Sequence, residues 1–397
     1  MTRSRPDHLD QFAREDPEPT ELFSREEVET ASRYNGPRYA AFLLDRALGL
    51  TVLAVVAFGP LGDPLYGTLV SLPWWAQGLA FPALAVALSV AVRLPLSFWI
   101  GYVREKRFGF STQNVRGWLS DRAKALAVGL TLTSLVLLGL VGLARAMPEA
   151  WPAVAAPAVA ALVLVLGFLA PVLVEPLFNR FTPLADEQLA RELRGLATRA
   201  GVPVRDVLVA DASRRTRKAN AYVSGLGRTR RVVVYDTLLE GGEPSEIRLV
   251  AAHELGHRRM RHVAFATVLG MAGAVAAVLI LWGLLQADGV LDALEAGGAG
   301  DPRVGPFVLL AVTVLELAAL PVESALSRGW ERDADRFSLE LTGDLGAFER
   351  AHRALARSNL SDLDPPRALY LLLFSHPTPP ERIAAARRLV PRAGPSR

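Results

Sequence analysis

The chain has 397 residues, 51% of them apolar, with a mean hydropathy of +0.25, which is too apolar for two or three ordinary domains folded in water. Its pI near 9.6 comes from 44 Lys and Arg against 40 Asp and Glu. Because the basic residues gather beside apolar stretches, an anionic bilayer surface accounts for them and no nucleic acid is needed. Cysteine is absent, which excludes a disulfide framework, a thiol nucleophile and thiolate ligands, and leaves any metal to His and carboxylates.

Residues 1–39 are polar, rich in Asp, Glu and Pro, and lack the basic-then-apolar pattern of a secretory signal peptide; they are expected to form a flexible tail. Six apolar stretches follow: Ala40 to Phe58, Trp75 to Ile100, Ala123 to Ala144, Pro152 to Leu177, Val263 to Leu285 and Gly305 to Glu323. Each is about as long as the roughly 20 residues that cross a hydrocarbon core. Asp45, Arg46, Arg93 and Glu316 lie inside them, so these charges should face protein or water, or in the case of Asp45 and Arg46 snorkel from a helix end. The chain then divides into a four-span region at 40–178, a hydrophilic insert at 179–262, two spans at 263–324, a second hydrophilic part at 325–390 and a tail at 391–397.

The connections differ in charge. Gly59 to Trp74 has no Lys or Arg, and Gln286 to Val304 sets Arg303 against Asp288, Asp292, Glu295 and Asp301. The second connection carries Arg104, Lys106, Arg107, Arg116 and Arg122, and the stretch from Asn179 to His262 and the part after Arg328 are also basic. The positive-inside rule therefore puts both termini and both hydrophilic parts of a multi-pass protein in the cytoplasm; if the protein is bacterial, its membrane is expected to be the plasma (inner) membrane.

Within the insert, Leu189, Leu193 and Leu196 share one face of a helix expected over Glu187 to Ala200. Asp206 to Ala210 and Arg231 to Tyr235 read as strands, with a third over Asn220 to Gly225. Pro244 suits the first position of a helix running through Ile247, Val250 and His257.

On that helix stands His253-Glu254-Leu255-Gly256-His257. Residues four apart lie on one face, so both imidazoles can reach one ion while Glu254 sits beside them as a base for a water that the ion activates. A chance match in a chain of this composition has a probability of roughly one per cent, so the motif needs context. A catalytic zinc site uses three protein ligands and one open position. Met260 and Val263 stand where a metzincin would have Gly and His, and His262, five residues past His257, reads as an interfacial residue off the metal face. The third ligand is then a later carboxylate. Glu331 follows the sixth span, whereas Glu316 lies deep within it, and Asp335, one turn after Glu331, can hold the far nitrogen of a ligating His. Two imidazoles and a carboxylate suit Zn2+, one per chain.

Further short motifs stand in order around this one: Phe108-Gly109-Phe110-Ser111 before Trp118 and Asp121; Glu175-Pro176-Leu177-Phe178-Asn179-Arg180-Phe181; Asn220-Ala221-Tyr222; Tyr235-Asp236-Thr237; Ser327-Arg328; and His376-Pro377 leading to Arg382-Ile383. In these the chain resembles the integral-membrane M48 metallopeptidases of the Ste24-type CAAX prenyl protease 1 group. The resemblance implies a mainly α fold: a polytopic membrane helix bundle, six spans here against seven in eukaryotic members, with a gluzincin-type zinc peptidase core that contains a small β-sheet. It also implies a chamber enclosed by the spans, Glu331 as third ligand, a catalytic role for His376 beside Glu254, and Asn220, Tyr222 and Arg382 at the substrate. Its substrates would be peptides or proteins, C-terminally lipidated ones among them. A general membrane-protein quality-control endopeptidase and a non-catalytic scaffold or transport protein are the alternative readings.

Overall fold

The computed structural model describes residues 18–169, 173–225, 227–287 and 289–389. The expected tails at 1–17 and 391–397 lie outside them. Residues 18–39, expected as part of a flexible tail, are ordered into helix. Helix α1 (Arg25–Phe58) starts at a reciprocal cap in which Glu27 N–H donates to Ser24 Oγ and Ser24 N–H donates to the Glu27 carboxylate. At 34 residues α1 is about 50 Å long, well beyond a hydrocarbon core, so its first turns project out of the membrane. There Leu22, Phe23 and Ala31 pack against Ala356, Leu363 and Ile383. A few apolar side chains scattered through a mostly polar stretch leave little trace in hydropathy, which is why the segment reads as a tail.

Helix α2 (Trp74–Phe98) runs on through a π-helical turn at Trp99–Arg104; α3 (Val115–Ala146) and α4 (Trp151–Leu169) follow. The insert holds β1 (Phe181–Pro183), α5 (Glu187–Arg199), β2 (Asp206–Ala210), β3 (Ala221–Ser224), β4 (Arg231–Tyr235) and α6 (Pro244–Arg259). Then come α7 (His262–Gln286), α8 (Gly305–Thr342), α9 (Leu345–Asn359), α10 (Arg367–Leu373) and α11 (Pro379–Leu389). Among the described residues α1, α2 with its extension, α3, α4, α7 and α8 are the six helices long and apolar enough to cross a membrane. They close a ring, with α8 packed on α1, α1 on α2, α2 on α3, α3 on α4, α4 on α7 and α7 on α8. Leu137, Trp151, Leu281 and Val308 tie α3, α4, α7 and α8 together in one apolar cluster.

The sheet has strand order β1-β2-β4-β3, antiparallel except for the parallel β2–β4 pair. Period-two alternation sends Ala221 and Val223 into a core shared with Leu193 and Leu196 of α5 and with Ala251 and Leu255 of α6. Tyr222 and Ser224 point to the other face, where both donate to Glu175. β3 lies at an edge of the sheet, and Arg258, next to His257, donates to the Val223 carbonyl, so this edge runs beside the helix that carries the H-E-x-x-H motif.

Candidate active site

Helix α6 begins with Pro244, whose missing N–H costs nothing there, and with Glu243 and Glu246 capping each other. It packs along α8 at a point where both helices are small. A Cβ on Gly256 would meet Phe337 Cδ1 at 3.1 Å and the Cα of Ala334 at 3.3 Å. This close crossing lets a carboxylate on α8 reach imidazoles on α6. Nε2 of His253 lies 3.1 Å from Nε2 of His257, and each lies 3.2 Å from an oxygen of Glu331.

These three side chains form a group that could hold a metal ion. Bonds of 2.0–2.1 Å at tetrahedral angles put ligand atoms about 3.3 Å apart, close to the spacings found. Glu331 is buried, and its Oε2 has no hydrogen-bond partner among the described residues although the His253 nitrogen is near. Atoms that approach one another without the angles for donation are aimed at a shared centre, and a cation there satisfies the orphaned oxygen. The residues present fit a divalent metal. Glu316, fifteen residues earlier on α8, is exposed and outside this group.

Around the three, further side chains converge. Asp335 Oδ1 lies 2.9 Å from Nδ1 of His253. Arg382, on α11, donates Nε to Asp335 Oδ2 at 2.8 Å and Nη2 to Oδ1 at 2.5 Å, and also approaches Glu331 at 3.5 Å. Its guanidinium is thus turned onto the two α8 carboxylates. Burial drives the His253 pKa down, but the Asp335 and Glu331 carboxylates beside it prevail and raise it to about 9. Burial raises the Glu254 carboxyl above its usual range. His376 Nε2 stands 3.2 Å from Glu331 while more than half of its side chain stays exposed, so it faces the site from the solvent side. Asn220, just before β3, is exposed, and its carbonyl accepts from Tyr235 N–H at 3.0 Å. Tyr222 donates its hydroxyl to Glu175 at 3.3 Å.

Two partners were not legible in the sequence. His262, expected at an interface away from the metal face, is buried with its Nδ1 3.0 Å from Nδ1 of His257 and its ring stacked on Trp330. In a continuous helix it would sit roughly 140° around from His257, but Arg261 adopts φ 60° and breaks the helix between α6 and α7. His352, on α9, is buried with Nε2 3.8 Å from Asp335, and burial lowers its pKa to about 3. The left-handed turn falls on an arginine, so no local signal in the sequence points to the first, and none points to the second.

A ring of membrane-crossing helices, with an H-E-x-x-H helix crossed at its motif by a carboxylate-bearing span, defines a multi-pass membrane metallopeptidase. Residues 183–390 match the family model described as Peptidase family M48, and residues 8–180 match that of the CAAX prenyl protease N-terminal region, described as having five membrane helices. The chain belongs to peptidase family M48. It is 31% identical to the uncharacterized metalloprotease YhfN of Bacillus subtilis (strain 168), over 79% of this chain and 74% of that one. With CAAX prenyl protease 1 of Saccharomyces cerevisiae it shares 30% identity over 78% of this chain and 72% of that one. The crystal structure of S. mikatae Ste24p superposes with a TM-score of 0.81 at 25% identity, covering 95% of this chain and 93% of the other. In the described part of the N-terminal match four helices are long and apolar enough to cross a membrane, not five.

Proposed function

We propose that this membrane metallopeptidase is a zinc endopeptidase that binds one ion on Nε2 of His253, Nε2 of His257 and the carboxylate of Glu331. The observation that carries the reading is the convergence of these three side chains, with ligand atoms within 4.8 Å of one another. When bound, such an ion lowers the pKa of a water and polarises the scissile carbonyl. Glu254, one residue along the same helix, accepts the proton of the attacking water and hands it to the leaving amine. Its raised pKa suits a group that must both take and return a proton. His376, exposed at the rim, donates to the developing oxyanion. Asp335, itself held by Arg382, fixes the ring of His253. The peptide lies along β3 at the sheet edge, where Asn220 meets its backbone and Tyr222 and Arg382 act through the strand and the α8 carboxylates that they hold.

Relatives named CAAX prenyl protease 1 support a C-terminally prenylated peptide as substrate. The sheet edge favours the second reading, general cleavage of membrane proteins, because main-chain pairing discriminates little between side chains. The charge of the connections supports a cytoplasmic site. The test is cleavage by reconstituted, zinc-loaded protein of a farnesylated CAAX peptide, its unlipidated form and an unfolded membrane protein. Preference for the first supports prenyl processing. Equal cleavage of the first two removes it, and cleavage of none removes the endopeptidase.

A further inference from the structure

Behind the metal group, where Asp335 and Arg382 form part of its wall, α8, α10 and α11 enclose a cleft of about 630 Å³. Six guanidinium groups and three carboxylates line it. The carboxylates are largely spoken for: Asp335 is held by Arg382, and Glu381 accepts from Tyr370 Oη and Thr378 N–H. Arg328 is turned onto the Tyr370 and Phe374 carbonyls. This leaves Arg332, Arg336, Arg367 and Arg388 with no ion pair among the described residues, and of the three carboxylates only Asp335 is paired with a guanidinium. A concave surface on which six guanidinium groups outnumber three carboxylates is an anion site, and the fork of guanidinium matches phosphate oxygens in pairs.

The setting selects the source of the phosphate. Exposed leucines continue past the apolar part of α8, at Leu326 on α8 itself, at Leu371 and Leu372 on α10, and at Leu389 on α11. Leu371 and Leu389 line the cleft. Side chains on a helix lean toward its N-terminus, and α8 leaves the membrane at its C-terminal end, so Arg332 and Arg336 lean back toward the bilayer. Arg332 follows Glu323 by nine residues, about 14 Å along the axis. A long side chain leaning back over that distance closes much of the gap to the head-group layer. Arginines above and leucines below match a phosphodiester joined to acyl chains.

We propose that this cleft binds the phosphate of an anionic phospholipid, with Arg332, Arg336, Arg367 and Arg388 on the head group and Leu371 and Leu389 against the chains. The site rests on neither the metal nor the peptide reading. The test uses full-length protein in neutral detergent, stripped of lipid. Phosphatidylglycerol should bind saturably, seen as native mass-spectrometric adducts and a raised unfolding temperature, while phosphatidylcholine and inorganic phosphate give neither. Arg332→Gln with Arg336→Gln should weaken phosphatidylglycerol binding about thirtyfold. Arg367→Gln with Arg388→Gln, on other elements, should do the same and serves should the first pair fail to fold. Arg191→Gln with Arg194→Gln, outside the cleft, should change nothing. Undiminished binding in the cleft variants, or equal binding of phosphatidylcholine, overturns the proposal, and saturation by inorganic phosphate alone overturns the lipid assignment.

Discussion

Nδ1 of His262 lies 3.0 Å from Nδ1 of His257, and the His262 ring is stacked on Trp330 with centroids 5.4 Å apart. A His257 that gives Nε2 to an ion keeps its proton on Nδ1 and would donate it to His262, much as Asp335 holds the far nitrogen of His253. Both imidazoles are therefore oriented from behind. Removing such a partner costs about 10–100-fold in metal affinity. His262→Ala should lower zinc affinity by that factor, measured by competition with a chromophoric chelator, and an unchanged affinity would sink the positioning role.

Glu254→Gln keeps the size of the side chain and removes its basicity. Cleavage should fall by about 10²–10⁴-fold, the usual worth of a positioned acid–base group. Zinc per chain, read by elemental analysis, should stay the same. Normal turnover in this variant would rule out Glu254 as the base.

His253 has a pKa raised to about 9 before metal binds. Below that pH the ring carries a proton that an incoming ion must displace, so affinity should rise with pH, by up to about tenfold per unit, and level off above pH 9. The sign follows from competition: protons favour the empty site and their removal favours the filled one. Calorimetry in buffers of different ionisation enthalpy should show about one proton released at pH 7. No release would mean that His253 is already neutral there.

Gly256 stands at a tight contact between α6 and α8. A valine there drives its branches into Phe337 and Ala334, an overpacking that costs about 1–3 kcal/mol. Relief comes by parting the helices, which draws Glu331 away from the imidazoles. Gly256→Val should lower both the unfolding temperature and the bound zinc, whereas Gly256→Ala, needing a shift of only a few tenths of an ångström, should lose far less. Full zinc occupancy in the valine variant would show that the crossing does not set the ligand spacing.

The features legible in the sequence are those written at short range. Apolar runs mark the six spans, because crossing a hydrocarbon core demands about twenty apolar residues in a row. The strands at Asp206–Ala210 and Arg231–Tyr235 and the helix opening at Pro244 fall where β-branched runs and a proline at the first helical position put them. His253, Glu254 and His257 declare themselves because one helical turn makes them neighbours. Glu331 and Asp335 could be named as a pair for the same reason.

The tertiary structure alone decided which distant side chains meet. Arg382 finds Asp335 across 47 residues, and His352 comes against it from a third helix. His262 turns back to His257 only because the backbone reverses at Arg261. Residues 18–39 become helix because Leu22, Phe23 and Ala31 find Ile383 and its neighbours more than three hundred residues away. Hydropathy and periodicity report how a segment sorts between water, core and bilayer; they carry no record of which buried polar group will need which partner, and that need is met only when the helices pack.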